Sequence, residues 1–259
     1  MSRIYFPIYD TFTHKYVFNR VDKKHLTVEG KKHGDSINAV IENRIVKGKL
    51  TLEGNEMYFT DYEIPTDTCH ASDDDKIKVV LVQPLLKLDK LDWVVQKVTE
   101  IGIDKILLFK AEHSIPLNIS EAKITRLNKI AKEACMQSGR IHIPSIEFIE
   151  RKKHDNLVDI IRSVSKSNQN NDLSPTIVFA DIDGNTNLSD ICSKDNLSDS
   201  KNYIDIYITA GPEGGFSKNE IESLRRNNNS YALRLSNNVL RSETASICLS
   251  FKVINELTP

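Results

Sequence analysis

A chain of 259 residues holds two average domains or one large one. Hydrophobic residues make up 39% and charged residues 27%, and 35 Lys and Arg against 36 Asp and Glu leave a formal charge of −1. No apolar run approaches the roughly 18 residues of a membrane span, and the opening MSRIYFPIYD lacks the regions of a secretory signal. Cys69, Cys135, Cys192 and Cys248 stand 66, 57 and 56 residues apart, so a disulfide or zinc framework is excluded. The expectation is a soluble, cytoplasmic protein without a membrane partner or a metal.

Neutrality overall hides a basic stretch near the start. Between His14 and Leu50 stand Lys15, Arg20, Lys23, Lys24, Lys31, Lys32, Arg44, Lys47 and Lys49, against Asp22, Glu29, Asp35 and Glu42. A positive module on a neutral chain points to a phosphate-bearing partner. The region reads as short strands: Lys24 to Val28, then Ser36 to Ile41 after a Gly34-Asp35 turn. Lys49 to Leu52 and Met57 to Tyr62 flank Gly54-Asn55 as a hairpin. The polar run from Pro65 to Asp75, with three consecutive aspartates, reads as a linker. A boundary near residue 72 divides a β domain, 1–72, from a second domain, 73–259.

Beyond it, strands alternate with helices. Ile77 to Val82 is a buried strand, and Leu88, Leu91, Val94, Val95, Val98 and Ile101 form one face of a helix that Gly102 ends. Ile106 to Phe109 is a strand, Ser120 to Ser138 a helix, and Ile177 to Ala180 and Ile204 to Thr209 are strands. Ser163 to Ser174 and Asp181 to Asn202 read as solvated loops and short surface helices. Tyr231 to Leu235 reads as a strand and Ala245 to Val253 as an apolar helix. This alternation implies an α/β domain with a mostly parallel sheet covered on both faces.

Four segments could carry chemistry. In TAGPEGGFSKNE, a strand ends at Thr209, three glycines follow, and Ser217 with Glu220 forms a capping box. Such a loop at a strand's carboxyl end lets backbone approach a ligand closely, and Glu213 stands at its apex. It is neither a P-loop nor a dinucleotide fingerprint. LSNNVLRSETA is a second strand-to-helix loop, carrying Asn237, Asn238, Arg241, Glu243 and Thr244. WVVQKVTEIG puts Gln96 and Glu100 on one helix face, and EACMQSGR ends a helix with Gln137, Ser138 and Arg140. His70, His113, His142 and His154 lack metal-ligand spacing, and Cys135 reads as a core thiol.

WVVQKVTEIG, EACMQSGR, GPEGGFS and LSNNVLRSETA, in that order, closely resemble the ribosomal RNA small subunit methyltransferase E family. That resemblance, from about Ile77 to the C-terminus, implies a SPOUT-type domain with a C-terminal trefoil knot, preceded by a PUA-like β-barrel domain. It implies S-adenosylmethionine-dependent methylation of N3 of a uridine in 16S rRNA of the 30S subunit, by a homodimer. The cofactor would lie against His113, Ser114 and on to Pro116, against Gly211, Pro212, Glu213, Gly214 and Gly215, and against Leu235, Ser236, Asn237, Asn238, Val239, Leu240 and Thr244. Arg241 is the first candidate to stabilise negative charge developing on uracil O2 or O4, because a guanidinium is always charged and presents a donor fork. Glu213 or Glu243 would accept the N3 proton or orient Arg241. Arg3, Lys24, His25, Lys31, Lys32, Gln96, Glu100, Gln137, Ser138 and Arg140 would face the RNA.

The N-terminal region departs from the family. Where members carry a His and, six residues on, an Arg before Gly-Asp, this chain has Lys24 and Gly30, with His25, Lys31 and Lys32 adjacent. Two rival readings remain: a SPOUT enzyme for another rRNA or tRNA position, and a ribosome-assembly factor without catalysis.

Overall fold

The computed structural model describes residues 3–64, 77–115, 119–151, 155–168, 175–192 and 204–257. The expected linker and boundary near residue 72, Cys69, His70, Pro116 and His154 lie outside them. So do 169–174 and 193–202 of the stretches read as loops. The chain forms two compact units. One holds the described N-terminal residues to Ile64 together with Lys132–Ile143, and the other holds the remainder.

The first unit contains β1 (Ile4–Tyr5), β2 (Ile8–Asp10), β3 (Lys15–Val17), α1 (Arg20–Val28), β4 (Ser36–Ile41), β5 (Arg44–Glu53) and β6 (Glu56–Thr60). Its sheet runs β1-β4-β5-β6-β3-β2, and the β5–β6 hairpin matches the sequence expectation. Lys24 to Val28, expected as a strand, is instead the end of helix α1. Asn19 caps that helix, its side-chain oxygen accepting from the Val21 and Asp22 amides at 2.9 and 3.1 Å. Asp22 and Leu26, four apart, turn inward, while Val28 is 76% exposed, so a period of two does not describe the burial. The core gathers Tyr5, Phe18, Leu26, Ile37, Ala39, Ile41, Val46, Leu50, Phe59 and Met136. Gly48 lies where a Cβ would come within 2.5 Å of the Phe59 ring, so β5 needs glycine there.

Residues 132–143 were expected with the C-terminal domain but pack in this first unit. Lys132 reaches the fully buried Asp22 at 3.1 Å and lies over the Phe6 ring. Burial raises the Asp22 carboxyl above its ordinary range, and Lys132 opposes that shift. Cys135 is buried, its thiol pushed up to about 11 by burial, which suits a core residue and not a nucleophile.

The second unit holds one all-parallel sheet, ordered β12-β10-β11-β7-β8-β9. Its strands are β7 (Ile77–Pro84), β8 (Lys105–Phe109), β9 (Ser145–Ile149), β10 (Thr176–Ala180), β11 (Ile204–Thr209) and β12 (Ser230–Leu233). The helices are α2 (Leu88–Ile101), α3 (Glu121–Ser138, which belongs to the first unit from Lys132 on), α4 (Leu157–Asn168), α5 (Ser189–Cys192), α6 (Lys218–Arg226) and α7 (Ser242–Leu257). Alternate strand residues feed two cores, as period two requires. Val79, Leu81, Ile106, Leu108, Ile206 and Ile208 meet α2, α3 and α7. Val80, Val82, Leu107, Phe109, Phe179 and Tyr207 meet α4 and α6. Both faces are covered, as expected for parallel strands. No described helix is long and apolar enough to cross a membrane.

Two boundaries differ from expectation. Helix α4 occupies Leu157–Asn168, partly within a stretch read as solvated, because Leu157, Val158, Ile160 and Ile161 give it an apolar face. Helix α7 begins at Ser242, not Ala245. The Ala245 amide already donates to the Arg241 carbonyl at 2.8 Å, so Glu243 and Thr244 belong to the first turn and not to the loop. A polar first turn conceals a helix start from an apolar pattern.

Replacing Lys132 by Met leaves Asp22 buried without its cation, and should cost about 3 kcal/mol in urea unfolding at neutral pH. A carboxyl whose folded pKa is raised gains stability as pH falls toward that pKa and loses it as pH rises through it. The deficit of the variant should therefore narrow in acid, and a further Asp22→Asn change should recover most of it.

Candidate active site

The site begins where β11 ends. Thr209 is buried, its hydroxyl donating to the Val82 carbonyl at 2.7 Å, and the chain then turns through Ala210–Phe216. The Gly215 amide closes a turn onto the Pro212 carbonyl at 2.9 Å, with Gly215 at φ +72°. A Cβ on Gly211 would stand 3.0 Å from the Phe216 nitrogen, and one on Gly214 would stand 2.9 Å from the His113 Cβ. These two positions admit glycine because backbone and a neighbouring loop already fill the space.

The capping box fixes how the loop enters α6. Ser217 Oγ accepts from the Glu220 amide at 3.2 Å, and the Ser217 amide donates to Glu220 Oε2 at 2.9 Å. Glu220 is buried, and its other oxygen accepts from the Glu112 amide at 3.1 Å and from Arg151 at 2.9 Å. One carboxylate thus joins the 111–114 loop to the glycine-bearing loop. The Ser217 hydroxyl and then Arg151 hold the Glu112 carboxyl below its ordinary range.

Two more loops close in from adjacent strands. After β12, Ser236 Oγ accepts from the Asn238 amide at 3.1 Å, and Ser242 at the start of α7 donates its hydroxyl to the Gly211 carbonyl. After β10, the Asp181 and Thr186 amides donate to the Leu233 and Ala232 carbonyls at 3.1 and 3.2 Å. Gly184 lies so close to Ala232 that a Cβ would meet its backbone at 2.7 Å.

Together these loops enclose a cavity of about 550 Å³ at the carboxyl ends of the strands. Of the residues expected at a ligand, Gly211, Pro212, Glu213, Gly215, Leu235, Ser236, Asn238, Val239, Leu240 and Arg241 line it. Gly214, Asn237 and Thr244 do not. Nor do His113 and Ser114, although His113 backs Gly214. Glu243 does not line the cavity but reaches it through Lys90, whose ammonium stands 3.1 Å from Glu213 and 3.3 Å from Glu243. Hydrogen bonding to Glu213 first, and then to Glu243, raises the Lys90 pKa. Glu243 Oε2 is buried and has no hydrogen bond of good geometry among the described residues, so its charge is balanced by Lys90 alone. Arg241 is exposed and makes no ion pair among the described residues.

The sequence reading missed Lys90, Asp181, Ile182, Phe216, Ile221, Ser242 and Ala245, which also line the cavity. Asp181 and Ile182 belong to a stretch read as solvated filler. Asp181 is in fact mostly buried and paired with Arg225 at 2.7 Å. The available signal was position, since both follow a buried strand's carboxyl end, as Lys90 follows β7. Gln96 and Glu100 lie six and ten residues beyond Lys90 on α2 and line no part of the cavity, and Glu100 is paired with Lys97 at 2.8 Å.

The remaining expected residues lie in the first unit. Arg3 donates to His25 Nδ1 and to Gln137 Oε1, the latter at 3.1 Å, and pairs with Glu29 at 3.4 Å. Lys31 is half-buried and Lys24 and Lys32 are exposed. Ser138 donates to the Cys135 carbonyl at 3.5 Å, and the Arg140 amide donates to the same carbonyl at 3.2 Å.

Comparisons with known proteins agree on one family. The Ribosomal RNA small subunit methyltransferase E of Rickettsia conorii is 32% identical over 177 residues, 66% of this chain and 62% of that one. The chain thus spans less than two thirds of that relative's length. The Ribosomal RNA small subunit methyltransferase E 2 of Borreliella burgdorferi is 28% identical over 221 residues, 83% of this chain and 80% of that one. The crystal structure of a Ribosomal RNA small subunit methyltransferase E from Neisseria gonorrhoeae, bound to S-adenosyl methionine, shares the fold with a TM-score of 0.67. It covers 99% of this chain and 98% of its own, at 18% identity. Residues 73–253, well over half the chain, match the RNA methyltransferase domain family, and the chain belongs to that family.

Proposed function

We propose that this protein transfers a methyl group from S-adenosylmethionine to N3 of a uridine in 16S rRNA of the 30S subunit. One observation carries the reading: the glycine-bearing loop after β11 and the asparagine-bearing loop after β12, two strands that flank β10, meet in one cavity beside an exposed, unpaired Arg241 and the Lys90–Glu213–Glu243 cluster. The names of the relatives fit it. The residues present also suit the cofactor. Gly211 leaves room for close backbone approach, Leu235, Val239, Leu240, Phe216 and Ile221 offer an apolar wall, and Asp181 and Glu213 offer acceptors for hydroxyl or ammonium groups. Bound there, S-adenosylmethionine supplies an activated sulfonium methyl.

What the chain must add is orientation and charge control. Uracil N3–H is a weak acid, so a donor fork at O2 or O4 stabilises the developing anion, and Arg241 is placed on the cavity wall to give it. Glu213 or Glu243 takes the proton or orients Arg241. Lys90, within ion-pair distance of both carboxylates, holds the two in one cluster.

The fine architecture follows the same reading. The second unit is a SPOUT domain with a trefoil knot, a reading supported by the tight passage of the 181–186 segment against residues 232–234. The first unit is a PUA-like barrel that seats RNA through Arg3, Lys24, His25, Lys31, Lys32, Gln137, Ser138 and Arg140. The active molecule is a homodimer, supported by exposed Trp93 on α2 and exposed Phe251 on α7, helices that pack together. Gln96 and Glu100, away from the cavity of their own chain, then face RNA from across the dimer. A protein acting on ribosomal RNA works in the cytoplasm.

Incubating 30S subunits from cells without the native enzyme with this protein and methyl-labelled S-adenosylmethionine should yield labelled 3-methyluridine. Arg241→Ala should lower that transfer about 100-fold. Label in another nucleoside or in tRNA would indicate a different target. Absence of both label and calorimetric cofactor binding would leave an assembly factor.

Lys90→Met removes the cation shared by Glu213 and Glu243 and should lower the rate of methyl transfer, while Lys90→Arg should retain most of it. An unchanged rate in Lys90→Met would remove this ion-pair cluster from the reaction.

A further inference from the structure

A second cavity, of about 510 Å³, lies wholly within the first unit. Its lining includes Arg3, Lys31 and Lys47 together with Ser36, Asn38 and Gln137. We propose that this cavity binds a phosphodiester-linked nucleotide of the RNA strand, with Lys31 and Lys47 as its phosphate contacts. The proposal rests on the RNA-methyltransferase reading above and narrows its broad basic face to one concave site.

Local structure explains why these groups converge. Helix α1 ends at Glu29, and Gly30 follows at φ +67°, in the left-handed conformation that favours glycine. The Lys31 amide donates back to the Leu26 carbonyl at 3.0 Å, and the Gly30 amide to the Thr27 carbonyl at 3.0 Å, which fixes the direction in which Lys31 leaves the helix. On the sheet, Asn38 of β4 is the register partner of Lys47 of β5, so their side chains share one face. Ser36 lies two residues earlier on that same face.

The hydrogen-bonding groups select the ligand. Arg3 is neutralised by Glu29, which also accepts from the Tyr5 hydroxyl at 2.8 Å, so the one acid lining the cavity is fully engaged. Gln137 spends its oxygen on Arg3, which leaves its amide N–H groups as donors. The Lys31 and Lys47 ammonium groups make no hydrogen bond or ion pair among the described residues. The Lys31 and Lys47 ammonium groups and the Gln137 amide are donors, and the two cations fit a phosphate ester with acceptors on base or sugar. The volume falls within the range of small-ligand sites. Lys24 and Lys32, of the same basic stretch, do not line the cavity.

The test uses the full-length protein and a fluorescein-labelled 12-nucleotide oligouridylate, read by anisotropy across salt concentrations. Lys31→Met with Lys47→Met should weaken binding about tenfold and flatten the log–log salt slope by about 1.4, two single-strand contacts at about 0.7 each. Ser36→Trp fills the cavity without changing charge and should weaken binding by a similar factor, with an unchanged unfolding temperature. A loss in the double-lysine variant with full affinity in Ser36→Trp would mean a diffuse basic surface and overturn the cavity. Full affinity in both would overturn it as well. Uridine monophosphate serves as competitor: tight binding that the lysine changes abolish, with oligonucleotide affinity intact, would reassign the cavity to a free nucleotide. Methyl transfer by the unaltered protein to 30S subunits, run alongside, separates a failure of this inference from a failure of the activity.

Discussion

Strand β11 lies between β7 and β10, parallel to both and in register from Ile204↔Ile77 to Thr209↔Val82. A strand in that position must be apolar on both sides, and Ile206 and Ile208 face one core while Tyr207 faces the other. Its last residue, Thr209, is tied to the Val82 carbonyl, so the glycine-bearing loop leaves the sheet at a fixed point. The ends of β10 and β12 lie alongside. Loops that are remote in sequence therefore open at one edge, and the cavity exists because the strand order reverses there. Most of the site's precision is inherited from the sheet, and little of it comes from the loops themselves.

Charge inside that cavity is arranged by sharing. Two carboxylates with no cation between them would repel. Lys90 stands within ion-pair distance of both. This arrangement also leaves Arg241 unclaimed. Had either carboxylate captured that guanidinium, its donor fork would have been occupied by the protein itself. The division of labour suits a reaction in which one group removes a proton and another meets the charge left behind. Glu220, equally buried, is held by amides and Arg151 and serves the scaffold.

The sheet of the second unit was legible because parallel strands buried on both faces read as apolar runs, and Ile77 to Val82 and Ile204 to Thr209 could be read no other way. The capping box at Ser217 and Glu220 fixed a helix start from two residues. Polar helix starts hid themselves. Ser242, Glu243 and Thr244 read as loop because nothing apolar marks the first turn of α7, and Asn19 hid the start of α1 in the same manner. Lys90 and Asp181 went unread for a different reason, since their position after a strand end was the one signal they gave. Their side chains matter only because strand order brings three strand ends together, and the order of strands is a long-range property that no local pattern carries. Glu243 was found by its resemblance, while its partner was found only by distance.

Gly30 shows how a departure from a family pattern can be forced by local geometry. The chain must reverse after Glu29 to reach β4, and it does so through a left-handed residue, where a side chain costs free energy and glycine does not. An arginine there would oppose the turn that ends α1. The positive charge is found instead one residue later, at Lys31, whose backbone is fixed by the same turn and whose ammonium remains unpaired. Moving the charge by one position changes its kind as well as its place. A guanidinium offers a planar fork, whereas an ammonium acts as a point charge that tolerates many approach angles. A site built on lysines should therefore hold a phosphate firmly without fixing its orientation, and orientation falls to the amide of Gln137, itself aligned by Arg3. Gln137 stands near the end of α3, and the ion pair of Lys132 with the buried Asp22 ties that end of α3 to α1 in one unit.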